Sequence, residues 1–255
     1  MYWNYRIIEI IRNNIEKFIV KKSLNRLSLF LDGYNIGFDC ANKSDILTHQ
    51  WTEKEIKLSE IEEDEYDEYD EFVTFIENKL DRDFRTISRS LFNHLDNYYE
   101  NEEASFDHFL KFYDEFLDEN KEILEIKIAK YQKEYNGLIG KTENERLLEN
   151  FRKLLTSMQK RVYMYVGMDS NLSHLKIYFK GLIFSMNELS QTGALLNHNF
   201  DKFIRDKFNF VENKDFFDII MSMYENEKES LHKFFEHLNE FEKVSRETLI
   251  IFNEK

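Results

Sequence analysis

Nine of the twelve residues from Glu60 to Glu71 are Asp or Glu, none is basic, and Tyr66 and Tyr69 interrupt the run. Carboxylates at this density have three uses. They can form a solvated, self-repelling loop. They can steer a cationic protein into contact while the tyrosines supply packing area. They can hold a hard cation, although the glycine and alternating oxygen ligands of a calcium loop are missing here. The candidate partner-binding residues are therefore Glu62, Glu63, Asp64, Glu65, Tyr66, Asp67, Glu68, Tyr69, Asp70 and Glu71. Other spacings carry less. Glu229 and His232 have the Glu-x-x-His interval of a di-metal helix bundle, but no second such pair accompanies them. Gly140-Lys141-Thr142 resembles the end of a phosphate loop, yet Tyr135 stands where that loop needs its first glycine. Gly137 and Gly140 read instead as a helix stop, with Thr142 capping the next helix and Glu145 at the capping-box position. Cys40 is the only cysteine and reads as a small half-buried side chain rather than a nucleophile. His232 and His237 read as ordinary surface or half-buried histidines. No residue is nominated as catalytic, no metal site or cofactor is expected, and the chain is not expected to be an enzyme.

The elements that must position the acidic segment are helical. There is no proline in 255 residues, where average usage would give about a dozen, and glycine occurs only seven times. An AT-rich coding bias is a competing cause, since Asn, Lys, Ile, Phe and Tyr are common together. Aromatic residues reach 16 %, which excludes disorder over most of the length. Apolar residues recur at helical spacing: Ile7, Ile8, Ile11, Ile15 and Phe18; then Leu24, Leu27, Leu31, Tyr34 and Phe38; then Phe72, Phe75, Ile76 and Leu80; then Phe106, Phe109, Leu110, Tyr113 and Phe116. Leu124, Ile128, Tyr131 and Tyr135 continue the pattern, and Leu147, Leu148, Phe151, Leu154 and Leu155 resume it beyond Gly140. Each stripe is a core face.

The two halves of the chain match each other. Residues 23–38 (SLNRLSLFLDGYNIGF) align with 171–186 (NLSHLKIYFKGLIFSM), placing Leu24 on Leu172, Leu27 on Leu175 and Gly33 on Gly181. Phe18-Ile19-Val20 faces Met164-Tyr165-Val166 if two residues are inserted in the second copy. Residues 72–80 align with 200–208, sharing Phe, Phe, Ile and Lys, and 101–116 align with 226–241, both ending Glu-Phe. The expected organisation is an all-α protein: a first module over 1–117 with an acidic insertion at about 40–71, a helical connector over 118–149, and a second module over 150–255. A glycine kept in mid-helix at 33 and 181 implies close approach of a neighbouring helix, because it costs helix propensity.

Charge narrows the partners. The chain carries 35 basic and 49 acidic residues, a formal net charge of -14. A duplex nucleic-acid binder needs a basic face, so nucleic acid is not an expected partner. No stretch is long and apolar enough to span a membrane, and the N-terminal sequence lacks the continuous apolar region of a signal peptide, so a cytoplasmic location is expected.

Residues 161–181 (RVYMYVGMDSNLSHLKIYFKG), 200–210 (FDKFIRDKFNF) and 226–241 (NEKESLHKFFEHLNEF) resemble a group of small helical bacterial proteins encoded beside polymorphic or interbacterial toxins. The shared pattern is a Met-Tyr-Ile-Gly-like turn, a Ser-Leu-x-x-Leu helix ending near Gly-Tyr, a Phe-x-x-Phe helix and a Phe-rich helix ending Glu-Phe. The first copy departs from it at Phe18–Lys21, and the second has Leu182 after Gly181. The resemblance implies a tandem-repeat immunity protein that neutralises a cognate toxin with a basic surface by direct contact. A helical scaffold or adaptor, or an enzyme with an unrecognised site, are the alternatives.

Overall fold

The computed structural model describes residues 5–42, 68–82, 91–122, 124–125, 144–167, 170–189 and 192–253. All regular structure among them is α-helical. The first half holds α1 (Tyr5–Arg12), α2 (Ile15–Phe18), α3 (Leu24–Asn42), α4 (Glu68–Leu80), α5 (Leu91–Tyr98) and α6 (Glu102–Glu119). The second holds α7 (Asn144–Lys160), α8 (Tyr163–Val166), α9 (Leu172–Leu189), α10 (Thr192–Phe208), α11 (Phe216–Met223) and α12 (Glu227–Asn253). No helix among the described residues is long and apolar enough to cross a membrane.

The stripes seed these helices, and local chemistry decides where they stop. The Ile7-to-Phe18 stripe folds as two helices because Asn13 and Asn14 intervene. Their side-chain amides donate to Glu9 O (2.9 Å) and Ile10 O (3.0 Å), competing with continuation of the helix. Asn101, Asn171, Asp215 and Asn226 each accept a backbone N–H three residues on, at 2.8 to 3.0 Å, and so open α6, α9, α11 and α12. At the far ends of α4 and α10, Asp81 and Asn209 take the left-handed conformation, each with φ 51°. The next residues, Arg82 and Phe210, donate back to Glu77 O and Arg205 O at 3.0 Å, closing both helices in a Schellman turn.

At the centre α3 and α9 run side by side in the same direction. Gly33 lies against the Tyr178 carbonyl and Gly181 against the Phe30 carbonyl, while Gly37 meets Ser185. A Cβ at Gly33 would stand 1.9 Å from Tyr178 O, and one at Gly181 would stand 2.0 Å from Phe30 O, so only glycine permits this approach. The close neighbour implied by the two mid-helix glycines is thus the other glycine's helix. Leu172, Leu175, Ile177, Tyr178, Phe179, Leu182 and Met186 of α9 are all buried, which leaves that helix little outward face. The buried residues of both halves form one continuous core. α7 runs through residue 150, where the sequence places the start of the second module. Within the connector, Ile128, Tyr131, Tyr135, Gly137, Gly140 and Thr142 lie outside the described residues.

The shorter helices pack on this central pair. α5 and α6 lie on α3; α11 and α12 lie on α9. α2 lies on α9, α7 lies on α3, and α8 lies on both α9 and α3. α2 and α8 are four residues each, and five residues separate each from the long helix that follows. The two-residue insertion expected between Phe18 and its counterpart is therefore not needed, and element order sets Phe18 opposite Val166.

Candidate functional site

Glu62, Glu63, Asp64, Glu65, Tyr66 and Asp67 lie outside the described residues. Glu68, Tyr69, Asp70 and Glu71 form the first turn of α4. Acidic residues there match the positive end of the helix dipole. The rest of α4 is fixed firmly. Phe72 and Ile76 are buried, and Phe72 meets Phe109 edge-on at 5.8 Å and Phe116 at 5.2 Å. Lys79 pairs with Glu115 (3.2 Å) and Glu119 (3.0 Å) on α6 and sits over the Phe75 ring at 4.9 Å. The acidic run therefore leads into a helix whose remaining length is anchored by aromatic packing and ion pairs.

A polar network in the second half escaped the sequence reading. His237 on α12 is 4 % exposed. Its Nδ1 lies 3.0 Å from Lys207 Nζ and its Nε2 lies 2.9 Å from Tyr224 Oη. The Lys207 ammonium can only donate, so Nδ1 accepts and the proton sits on Nε2, which donates to the tyrosine oxygen. Lys207 also pairs with Glu240. Burial and the Lys207 charge hold the His237 pKa below its ordinary value. The Phe208 ring packs edge-on against the imidazole at 5.3 Å. The aligned position in the first half is Phe112, so a histidine on a repeated apolar stripe was the available signal. This cluster fixes a buried tautomer and ties α10, α12 and the residue after α11 together.

The other candidates have structural duties. Glu229 accepts the Glu225 N–H at 3.3 Å, and His232, largely exposed, pairs with Glu236 at 3.0 Å, so the Glu-x-x-His interval assembles no site. Among the described residues no group of three or more His, Cys, Asp or Glu could hold a metal ion. Cys40 is fully buried, and burial pushes its thiol up to about 12. Its carbonyl accepts from the buried Asn150 side chain at 3.0 Å, tying α7 to α3. A shallow groove of about 670 Å³ lies between the α2–α3 turn and the start of α6. It is crossed by ion pairs from Lys21 to Glu102 (2.5 Å) and from Lys22 to Asp107 (2.9 Å), which tie the α2–α3 turn to α6.

Neither family models, nor curated proteins, nor solved structures offer a match to this chain.

Proposed function

We propose that this chain is an immunity protein that neutralises a cognate bacterial toxin by direct protein–protein binding in the cytoplasm, with no cofactor. The observation that carries the reading is the acidic run placed directly ahead of α4. Nine carboxylates and two tyrosines precede or open a helix whose remaining length is anchored in the core. A net charge of -14 supplies long-range attraction to a cationic toxin surface. The tyrosines offer contact area at low entropy cost, and the carboxylates raise the encounter rate. The resemblance to immunity proteins supplies the class of partner.

The experiment is co-expression with the toxin encoded beside this gene. The wild-type chain protects the host cell. Tyr66→Ala with Tyr69→Ala weakens protection by speeding dissociation of the complex about tenfold or more, the scale of losing a packed aromatic contact. Full protection by that double variant, with an unchanged dissociation rate in surface-binding measurements, would remove the tyrosines from the interface.

A further inference from the structure

We infer that this chain is a fused, intertwined pair: two copies of one helical unit associate through the α3–α9 face, lay their leading helices across both long helices, and hold together without the connector. Three independent sets of contacts support this.

The first is repetition within each half. Phe72 meets Phe109 at 5.8 Å and 85°, and Phe200 meets Phe234 at 5.8 Å and 87°. Phe72 meets Phe116 at 5.2 Å and 60°, and Phe200 meets Phe241 at 5.4 Å and 62°. Ser105 and Ser230, each fully buried, donate to Asn101 O and Asn226 O at 3.0 and 2.9 Å. Lys79 reaches Glu115 as Lys207 reaches Glu240. The paired left-handed residues Asp81 and Asn209 fall at the same place in this scheme. Composition can imitate a stripe, but it cannot imitate the same ring angles, caps and ion pairs at aligned positions.

The second is reciprocity across the centre. Residue 33 touches residue 178, and residue 181 touches residue 30: in both cases a glycine meets the carbonyl three positions before the other glycine. Gly37 and Ser185, each four positions after its glycine, meet each other. Self-complementarity of this kind is the mark of an isologous interface between two copies related by a two-fold axis.

The third is crossing of the leading helices. α2 packs on α9, where Phe18 meets Phe184 at 5.4 Å and Lys180 donates to Lys17 O at 2.8 Å. Arg6 of α1 pairs with Glu188 of α9 at 2.7 Å. In return α7 and α8 pack on α3, with Asn150 bonded to Cys40 O. Each half thus lays its leading helices across the long helix of the other as well as its own, since Phe18 also meets Phe30 at 5.4 Å and Tyr165 of α8 meets Tyr178 of α9 at 6.1 Å.

The test uses the full chain with a protease site placed in the connector between residues 126 and 143, cut after folding. The two fragments of the wild-type sequence, and of a control carrying the exposed-surface change Lys202→Ala, are expected to elute together at the size of the uncut chain and to melt in a single transition. Cut Gly33→Ala and Gly181→Ala chains are expected to fall apart at least tenfold more readily on dilution, because either Cβ drives the helices apart. Separation of the wild-type fragments, or glycine variants that dissociate no more readily than the control, would overturn the proposal. If the glycine variants do not fold, Gly37→Cys with Ser185→Cys replaces them: a Cβ added at Gly37 would stand 2.9 Å from Ser185 Cβ, so a small outward shift gives disulfide geometry. A disulfide joining the cut fragments on a non-reducing gel is expected, and its absence would overturn the opposed-face arrangement.

Discussion

Asp32 is a half-buried carboxylate on α3 whose nearest hydrogen-bonding partner is the Ser28 hydroxyl, at a long 3.5 Å. Burial pushes its pKa from the ordinary 3.8 up to about 6. Its neutral form is therefore the one the fold tolerates. Below about pH 4 the group is neutral folded or unfolded and costs nothing. Between about pH 4 and 6 the unfolded chain ionises while the fold keeps the proton, so stability falls by at most about 3 kcal/mol, the full loss being reached once pH passes 6. Asp32→Asn should raise stability at pH 7.5 and leave it unchanged near pH 3.5, as read by urea unfolding at the two pH values. An equal effect at both would place the cause elsewhere. The glycines give a second prediction at this scale. Gly33→Ala and Gly181→Ala meet equivalent carbonyls, so each should cost about 3 kcal/mol, the upper end of overpacking losses. The double variant should cost clearly less than the sum, since helices already pushed apart accommodate the second methyl. Close approach was legible in the sequence, because nothing else justifies a mid-helix glycine aligned in both halves. His237 was not legible as part of a network, because its partners Lys207 and Tyr224 come from elements whose packing only the fold reveals.

The helices were legible because apolar residues at 3.6-residue spacing specify a buried face wherever they occur. Ile7, Ile8, Ile11, Leu24, Leu27, Leu31, Phe106 and Phe109 are all buried. The break between α1 and α2 was not legible, because the apolar spacing continues through it while Asn13 and Asn14 end the hydrogen-bond ladder. The turn after α2 carries a testable cost. Val20 adopts φ 72°, a left-handed conformation that a β-branched residue resists by roughly 1–2 kcal/mol, and about half of its surface is exposed. Its N–H donates to Ile15 O at 2.9 Å, which holds the conformation in place. Val20→Gly should raise the thermal midpoint, a net gain of about 1 kcal/mol after the added entropy of the unfolded chain. A lowered midpoint would mean that the Val20 side chain contributes more contact than strain. Which long helix each short helix would choose could not be read from sequence, because α2 and α8 present the same apolar pattern to either.

At the scale of the whole molecule, charge and architecture point to different parts of the proposed function. Packing of Phe72 and Lys79 on α6 explains how α4 is held behind its acidic first turn. The -14 charge explains why a cationic partner would approach. The charge and the helices were available from the sequence; the pairing of α3 with α9 was not, since aligned repeats are equally compatible with two separate lobes. The most direct test of the proposed function is the association rate between the purified chain and a purified cationic toxin whose gene adjoins its own. It is measured at low and high salt for the wild type and for a variant with Glu62, Glu63, Asp64, Glu65, Asp67 and Glu68 changed to Ser. The account predicts fast wild-type association that slows as salt rises, and a variant that associates at least tenfold more slowly at low salt with little salt dependence left. No binding to that toxin, or a variant whose rate and salt dependence match those of the wild type, would contradict it.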